Sequence, residues 1–431
     1  MAAEREGVNK PIESPGGLQP VSERQRVAFV DALRGFALLG ILIPNILTFA
    51  WPIDLMTNEP LMPESAAAEA SMWFLDNFVL MKFMLLFSML FGVGIVLWDR
   101  KTQGRSITAG TGRWYARCGW LAVFGVLHGV LLWYGDILLL YALAGMVGLW
   151  FLRRLPSWAL IPIGLCVYSV GTGFMLLAAW AQSTQPEGAG MPPFMPTEQS
   201  QIEAYTSGYV EGWWGRLVPL FFMWVNIPFL LIWWAAGNMC IGMGLARCGF
   251  LLGKSPAWVY GTVLAVGTPL GLGATIGLHG WAEAGDGVLR HFVFFAVVQL
   301  IGMPLSLGYA SAIALVVKAA ARSRIAAAVS GAFANVGRMA LSNYLLHSII
   351  CAVLFYGYGV GLYAQVEFPA LWGVIAAIWA FNFVLSAMWL RAFRYGPFEW
   401  LWRSLTYWRL EPMRHETGPP QGTPGPVHSA A

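Results

Sequence analysis

RCGWLAVFGVLHGVLLWYGDILLLYALAGMVGLW, residues 117–150, places one imidazole and one carboxyl group inside otherwise apolar sequence. The two groups belong to His128 and Asp136, and the short sequence Tyr134-Gly135 between them is typical of a turn. Hydrocarbon is a poor solvent for ionisable side chains, so such residues inside a membrane-spanning helix are functional candidates by default. The stretch therefore predicts two spanning helices joined by a turn, with the first candidate site beside that turn.

The composition extends this interpretation to the whole chain. Of the 431 residues, 58% are hydrophobic and 11% are charged. Apolar runs of about 20 residues recur along the sequence, which is the length that crosses about 30 Å of hydrocarbon. The five cysteines have no C-x-x-C spacing, so neither a disulfide framework nor a zinc site is indicated. We expect the lipid bilayer as a partner, and neither a metal cofactor nor a nucleic-acid partner.

The hydropathy pattern predicts an all-α, polytopic integral membrane protein with about ten transmembrane helices. The predicted spans are 29–51, 73–98, 115–134, 136–152, 158–181, 217–245, 257–279, 291–317, 333–357 and 369–391. The predicted domains are a polar cytoplasmic segment over 1–28, the ten-helix domain over 29–395, an interfacial amphipathic helix over 396–412 and a disordered cytoplasmic tail over 413–431.

The positions of the charged residues predict the orientation. When the N-terminus is placed inside the cell, every inner segment between the predicted spans carries lysine or arginine. The outer segments carry mostly acids, and their exceptions are Arg216 and Arg290. Cytoplasmic loops of membrane proteins are enriched in lysine and arginine, so this alternation predicts that both termini are cytoplasmic.

Depth along the predicted helices sorts the intramembrane polar groups into two layers. The outer layer contains Asn45, Lys82, His128, Asp136 and His347. The inner layer contains Arg34, Arg117 and Arg338. Asn343 lies four residues before His347, so the two share a helix face and the amide could orient the imidazole. Two such layers are what a site reached from both sides of the membrane requires.

Each of these groups also has a structural alternative. His128 could bond a backbone carbonyl in the core, and Asp136 could cap the helix that follows it. Lys82 could extend its amine to the interface or pair with a carboxylate. Arg34 and Arg338 could serve only as topology anchors. No other chemical signature competes, because the sequence lacks a Walker A loop, an H-E-x-x-H motif and a G-x-S-x-G elbow.

Five segments spread over most of the chain carry a resemblance to known proteins. They read VDALRGFALLGILIPNI (30–46), KFMLLFSMLFGVGI (82–95), LHGVLLWYGDILLLYALAG (127–145), GRMALSNYLLHSII (337–350) and GPFEWLWRSLTY (396–407). These segments resemble the bacterial YeiB-like family, also called domain of unknown function 418. That family is similar, in its fold and its D-x-x-R-G opening, to the transmembrane acyltransferases that include heparan-alpha-glucosaminide N-acetyltransferase.

The resemblance implies an enzyme of the bacterial inner membrane that takes an acyl group from cytosolic acyl-CoA to an acceptor outside the cytoplasm. Arg34 matches the arginine of the opening motif, and Asn45 matches an asparagine near the outer end of the first helix. The acetyltransferase has a catalytic histidine in the loop after that asparagine, whereas residues 46–72 contain no histidine here. Either His128 or His347 would then take the role of the base, or the fold would be kept without the chemistry.

The leading hypothesis is an acyltransferase that uses acetyl-CoA or another short acyl-CoA and acts on an envelope glycan, a lipid or a small molecule. Arg34, Arg338 and Arg117 would bind the CoA phosphates, because guanidinium groups match phosphate oxygens. Asn45 or Lys82 would stabilise the oxyanion of the tetrahedral intermediate.

Two histidine pairs compete for the role of general base. His128 oriented by Asp136, or His347 oriented by Asn343, would remove the proton of the acceptor. The alternative functions are a transporter or exporter of a small amphiphile, in which the same groups bind substrate or relay protons, and a non-catalytic membrane scaffold.

Overall fold

The computed structural model describes residues 23–53, 61, 63, 65–102, 107–184, 196–285 and 288–415. The regular elements in these ranges are sixteen α-helices, three π-helical segments and two 3-10 segments, and one isolated antiparallel bridge joins Phe393 to Arg414. The all-α prediction is confirmed for this part of the chain. The predicted N-terminal segment up to residue 22 and the predicted tail from residue 416 onward lie outside the described residues.

The helices follow one another with short connections. They are α1 (Glu23–Ala50), α2 (Ala66–Phe74), α3 (Lys82–Thr102), α4 (Ile107–Leu131), α5 (Leu138–Trp150), α6 (Ser157–Ser183), α7 (Glu198–Thr206), α8 (Trp213–Asn226), α9 (Ile232–Arg247), α10 (Ala257–Thr262), α11 (Thr268–Glu283), α12 (Val288–Ala319), α13 (Arg324–Arg338), α14 (Ala340–Phe355), α15 (Phe368–Ala392) and α16 (Pro397–Tyr407). The π-helical segments Leu75–Val79, Ile227–Leu231 and Val263–Gly267 lie between α2 and α3, α8 and α9, and α10 and α11.

Seven helical units in the described ranges are long and apolar enough to cross a membrane, where the helices on either side of a π segment count as one unit. They cover 28–50, 66–101, 157–181, 213–247, 257–283, 289–319 and 368–392. The pair α13 and α14 meets the same criterion together but bends by 78°, which raises the number to eight. The chain is therefore a multi-pass helical membrane protein, and the predicted number of ten spans is not confirmed.

The two predicted spans around the α4–α5 turn account for the difference. With 13 residues, α5 is about 20 Å long, which is shorter than the hydrocarbon core of a bilayer. The 25 residues of α4 are enough to cross, but this helix carries Arg113, Arg117 and His128 and is not among the seven units. Sequence hydropathy marked both windows as apolar without showing where each helix ends.

The predicted span 333–357 is not one continuous helix. The helix is interrupted at Met339, between α13 and α14. Glu399 of α16 caps the N-terminus of α14. One oxygen of this carboxylate, Oε1, accepts the N–H of Leu341 at 2.6 Å and the N–H of Ser342 at 3.1 Å. The first N–H groups of a helix have no acceptor within the helix, so the carboxylate supplies the acceptor that the interruption takes away from the start of α14.

Glycines allow the central helices to approach closely. Helix α9 packs against α3, α5 and α6. A Cβ atom added at Gly92 of α3 or at Gly242 of α9 would lie 2.1 Å from the facing backbone. Gly164 of α6 and Gly237 of α9 face each other with similarly little space. Small residues at helix contacts are typical of membrane bundles, in which close van der Waals packing drives association.

Candidate active site

His128 and Asp136 form a buried pair at the turn between α4 and α5. Nδ1 of His128 lies 2.9 Å from Oδ1 of Asp136, and both side chains are 1% exposed. The other carboxylate oxygen, Oδ2, accepts the N–H of Leu139 at 2.8 Å in the first turn of α5. The carboxylate therefore caps α5 and also contacts the imidazole. Both predicted roles of Asp136, helix cap and partner of His128, agree with these contacts.

The second ring nitrogen of His128 meets a serine that no sequence motif marks. Nε2 lies 2.8 Å from Oγ of Ser348 on α14, and Ser348 is 2% exposed. In the tautomer that has its proton on Nδ1, this nitrogen donates to the carboxylate of Asp136 and Nε2 accepts from the serine hydroxyl. Ser348, His128 and Asp136 thus form one line of hydrogen bonds with the arrangement of a Ser-His-Asp triad. We call these three residues the triad.

Gly125 of α4 makes room for the triad. A Cβ atom at this position would lie 2.3 Å from the backbone nitrogen of Leu139 and 2.7 Å from Oδ2 of Asp136. The turn can therefore fold back against α4 only because position 125 has no side chain. At Gly129, by contrast, a Cβ atom would meet the end of the flexible Leu220 side chain on α8, at 2.9 Å.

A cavity of about 370 Å³ lies between α3, α4, α5, α14 and α16, and most of its lining is apolar or aromatic. Its charged lining residues are Arg34, Lys101, Arg117, Arg338, Arg403 and Glu399. Tyr344 and Ile137 also line it. The ring of Tyr344 lies 5.1 Å from that of His128, measured between ring centres. Tyr344 therefore contacts both the cavity and the histidine of the triad.

The three arginines predicted to bind phosphate all line this one cavity. Arg34 also donates to Oδ1 of Asp31 at 2.9 Å, within the D-x-x-R-G sequence of α1. A Cβ atom at Gly35 would lie 2.1 Å from a backbone oxygen of α13, and one at Gly337 would lie 1.8 Å from a backbone oxygen of α1. The two glycines thus bring α13, which ends at Arg338, directly against the helix that carries Arg34.

The helix α16 completes the charged part of the cavity. The guanidinium of Arg117 lies 3.6 Å from the ring centre of Trp402, and the indole N–H of Trp402 donates to the backbone oxygen of Arg117 at 2.8 Å. Burial raises the pKa of Glu399 above its ordinary value, although hydrogen bonds from Ser342 lower it in part. The helix α16 (Pro397–Tyr407) lies within the predicted segment 396–412. Its location at the membrane surface stays a prediction.

His347 and Asn343 do not form the predicted pair. The amide nitrogen of Asn382 on α15 contacts Nε2 of His347. Asn343 instead donates to the backbone oxygen of Val336 at 3.1 Å and to Oγ of Ser386 at 3.0 Å. The spacing of four residues does direct the side chains of Asn343 and His347 towards α15. Their hydrogen-bond partners, however, are polar groups of α15 and of the bend before α14. The prediction that Asn343 orients His347 is therefore wrong.

Lys82 and Asn45 are not among the residues that line the cavity. The buried amine of Lys82 donates to the backbone oxygen of Asp76 at 2.7 Å. Asn45 is half-buried on α1. The hydrogen bonds of the described residues connect neither side chain to the triad, so their assignment to oxyanion or substrate binding stays a prediction. The same residues contain no group of three or more histidine, cysteine or acidic side chains that could hold a metal ion.

Known proteins are similar in sequence to this chain over nearly its whole length. The chain is 35% identical over 395 residues to the uncharacterized protein YeiB of Escherichia coli strain K12, which covers 89% of this chain and 96% of that protein. The chain belongs to the YeiB-like family. It is also 31% identical over 431 residues to the uncharacterized protein YxaH of Bacillus subtilis strain 168, with 93% of this chain and 99% of that protein covered.

A family model described as "Protein of unknown function (DUF418)" matches residues 245–409. This range contains α10 to α16, and therefore Ser348 and Glu399 but not His128 or Asp136. The YeiB-like family match thus spans the helix that carries the serine of the triad, while the histidine and the aspartate come from the preceding part of the chain.

Proposed function

We propose that this protein is a membrane acyltransferase that moves an acyl group from cytosolic acyl-CoA to an acceptor on the other side of the membrane. The observation that carries this proposal is a cavity whose lining has arginines in one part and aromatic and aliphatic residues elsewhere, with Tyr344 in contact with both the cavity and His128 of the triad. Acyl-CoA has a matching distribution of properties, with phosphates on one part and a reactive thioester at the tip of an uncharged arm.

The helix α4 provides the scale of the proposed site. Arg117 and His128 are eleven residues apart on this helix, which corresponds to about 16 Å along its axis. A ligand whose phosphates bind at Arg117 must extend by about this length to bring its reacting carbonyl to the imidazole. Guanidinium groups favour phosphate through charge-assisted hydrogen bonds, and the aromatic walls exclude water from the arm of the ligand.

The triad provides the acid–base chemistry. Nε2 of His128 has the lone pair that accepts the proton of the serine hydroxyl, and Asp136 stabilises the imidazolium that forms. The similarity of the YeiB-like family to transmembrane acyltransferases, carried here by the D-x-x-R-G sequence with Arg34, supports the same reaction class. The proposed acceptor is a glycan, a lipid or a small molecule of the cell envelope.

Binding of acetyl-CoA to the purified protein tests this function. Replacing Arg338 by alanine is expected to weaken the binding of acetyl-CoA roughly 10- to 100-fold, because one hydrogen bond to a charged group contributes about 1.5–3 kcal/mol. The matched control is Arg324→Ala, which removes an exposed arginine from the other end of the same helix, α13. Binding is measured by isothermal titration calorimetry in lipid nanodiscs. Absence of binding to the wild-type protein contradicts the proposal.

We also propose that α4 and α5 cross the membrane, so that ten spans place both termini in the cytoplasm of a bacterial inner membrane. The alternation of basic and acidic connections supports this topology. Alkaline phosphatase fused after Ala431 is expected to be inactive, and green fluorescent protein at the same position is expected to fluoresce. A fusion truncated after Gly135, in the turn between α4 and α5, should give the opposite pair of results, whereas it would match the fusion after Ala431 if α4 and α5 did not cross. An active phosphatase after Ala431 would exclude this topology.

One observation favours a transporter as the second candidate. The 78° break between α13 and α14 lies beside the cavity, and half-helices that end at a binding site are typical of secondary transporters. The two functions differ in their products. A transporter moves its ligand unchanged across proteoliposomes, whereas an acyltransferase releases free CoA on the side to which acetyl-CoA was added.

A further inference from the structure

We propose that Ser348 is a nucleophile that carries the acyl group as a covalent ester between the CoA donor and the acceptor. This inference rests on the proposed acyl transfer and adds that the transfer takes place in two steps. The geometry that carries it is the contact of 2.8 Å between Oγ of Ser348 and Nε2 of His128, whose ring is fixed on its other side by Asp136. Nucleophilic serines are activated by such a base held by a third group.

The hydrogen bond of Ser348 differs from those of several other buried helical serines in this chain. Ser88, Ser311 and Ser71 each donate to the backbone oxygen four residues earlier, at 2.9, 2.8 and 2.7 Å. This back-bonding is the usual way in which a helix satisfies a buried hydroxyl. The hydrogen bond that the structure gives Ser348 goes to an imidazole on another helix instead. The hydroxyl is therefore directed to a base, away from the backbone of its own helix.

Tyr344 lies between Ser348 and the cavity. The two residues are four apart on α14 and share a face, and Tyr344 lines the cavity. The phenol oxygen of Tyr344 lies 3.4 Å from the backbone oxygen of Gly135 and 3.4 Å from the backbone nitrogen of Ile137. Hydrogen bonds of this length are weak, so they do little to hold the phenol in place, and the proposal requires the ring of Tyr344 to rotate before the thioester reaches the serine.

The first step transfers the acyl group to the protein. Oγ of Ser348 bonds to the thioester carbonyl carbon, and its proton passes to Nε2 of His128. The carbon–sulfur bond then breaks, and the sulfur leaves as CoA thiol with the proton from Nε2. In the second step the acceptor hydroxyl or amine attacks the serine ester, and its proton passes to Nε2. The bond between the carbonyl carbon and Oγ breaks, and Oγ recovers this proton.

A covalent intermediate separates the two substrates in space as well as in time. The CoA thiol leaves through the cavity that contains Arg117 and Arg338 before the acceptor arrives. The donor and the acceptor therefore do not have to occupy the protein together, although they come from opposite sides of the membrane. A ternary complex would need both reacting groups beside His128 at once.

The test uses the full chain in nanodiscs with [¹⁴C]acetyl-CoA and no acceptor. We expect label that survives denaturation and maps to the peptide containing Ser348. We also expect exchange of free CoA into acetyl-CoA, which a direct transfer cannot catalyse. Ser348→Ala and His128→Ala are expected to lower the exchange rate at least about 100-fold. The control Ser311→Ala removes a buried helical hydroxyl elsewhere and should retain both label and exchange.

Two further measurements keep the outcomes distinct. Ser348→Cys is expected to convert the label to a thioester that neutral hydroxylamine removes, which a merely structural serine would not do. Acetyl-CoA binding without label or exchange overturns the covalent step and leaves the acyltransferase function standing. Absence of acetyl-CoA binding overturns the function. A fluorophosphonate probe then decides the nucleophile, because it should label Ser348 only when His128 is present, and no labelling would reject the proposal.

Discussion

Replacement of Asp136 by asparagine is expected to lower the rate of acyl transfer by about 10³- to 10⁴-fold, as loss of the carboxylate does in hydrolytic triads. The asparagine oxygen can still accept the N–H of Leu139, so the cap of α5 is retained. Its NH2 group then faces Nδ1 of His128 and donates to it, which moves the ring proton to Nε2. An Nε2 that carries the proton cannot accept the hydroxyl proton of Ser348, so the base is lost while the fold is kept.

The rate is measured as exchange of free CoA into acetyl-CoA by the protein in lipid vesicles, with thermal unfolding as the check on folding. The matched control is His279→Ala. His279 is a buried histidine near the C-terminal end of α11, and its Nε2 lies 3.1 Å from a carboxylate oxygen of Glu283. It lies outside the cavity, so this variant should retain full activity. A rate for Asp136→Asn within about tenfold of the wild-type rate would show that the carboxylate acts only as a cap.

The part of the site that sequence could predict is local. His128 and Asp136 are eight residues apart across a turn, so a short connection between two apolar runs is enough to bring them together. The inner arginines could be grouped because positions near the same end of successive spans lie at the same depth. These predictions depend on helix rise and chain order, which the sequence contains directly.

The part that sequence could not predict depends on which helices touch. Ser348 lies 220 residues after His128, and serines are common enough in helices that nothing marks this one. The misassigned partner of Asn343 has the same origin, because the side chains of α15 that compete for it cannot be identified from spacing along α14. The break at Met339 likewise depends on Glu399, a residue 60 positions later. The partner of His128, the partners of Asn343 and the break at Met339 all depend on contacts between segments that are far apart in the sequence.

Replacement of Gly125 by alanine is the second variant for which we expect a large effect, on both stability and activity. The added methyl group would lie 2.3 Å from the backbone nitrogen of Leu139 and 2.7 Å from Oδ2 of Asp136. Neither neighbour is the free end of a flexible chain, so α4 and the start of α5 must separate. Overpacking of this kind costs about 1–3 kcal/mol, and a displacement of the catalytic groups by about 1 Å can cost about 100-fold in rate.

Gly119→Ala provides the matched control, because it is the same substitution six residues earlier on the same helix. A Cβ atom at Gly119 meets nothing within 4 Å. Alanine is favoured over glycine in helix interiors by about 1 kcal/mol, so this variant should be as stable as the wild type or more stable. Thermal unfolding and exchange of free CoA into acetyl-CoA are measured for both variants. If the two alanines have the same effect, the intolerance of α4 comes from helix propensity or insertion, and the close approach between α4 and the triad turn does not limit function. If only Gly125→Ala loses stability and activity, the space left at that position is what allows Asp136 to reach His128.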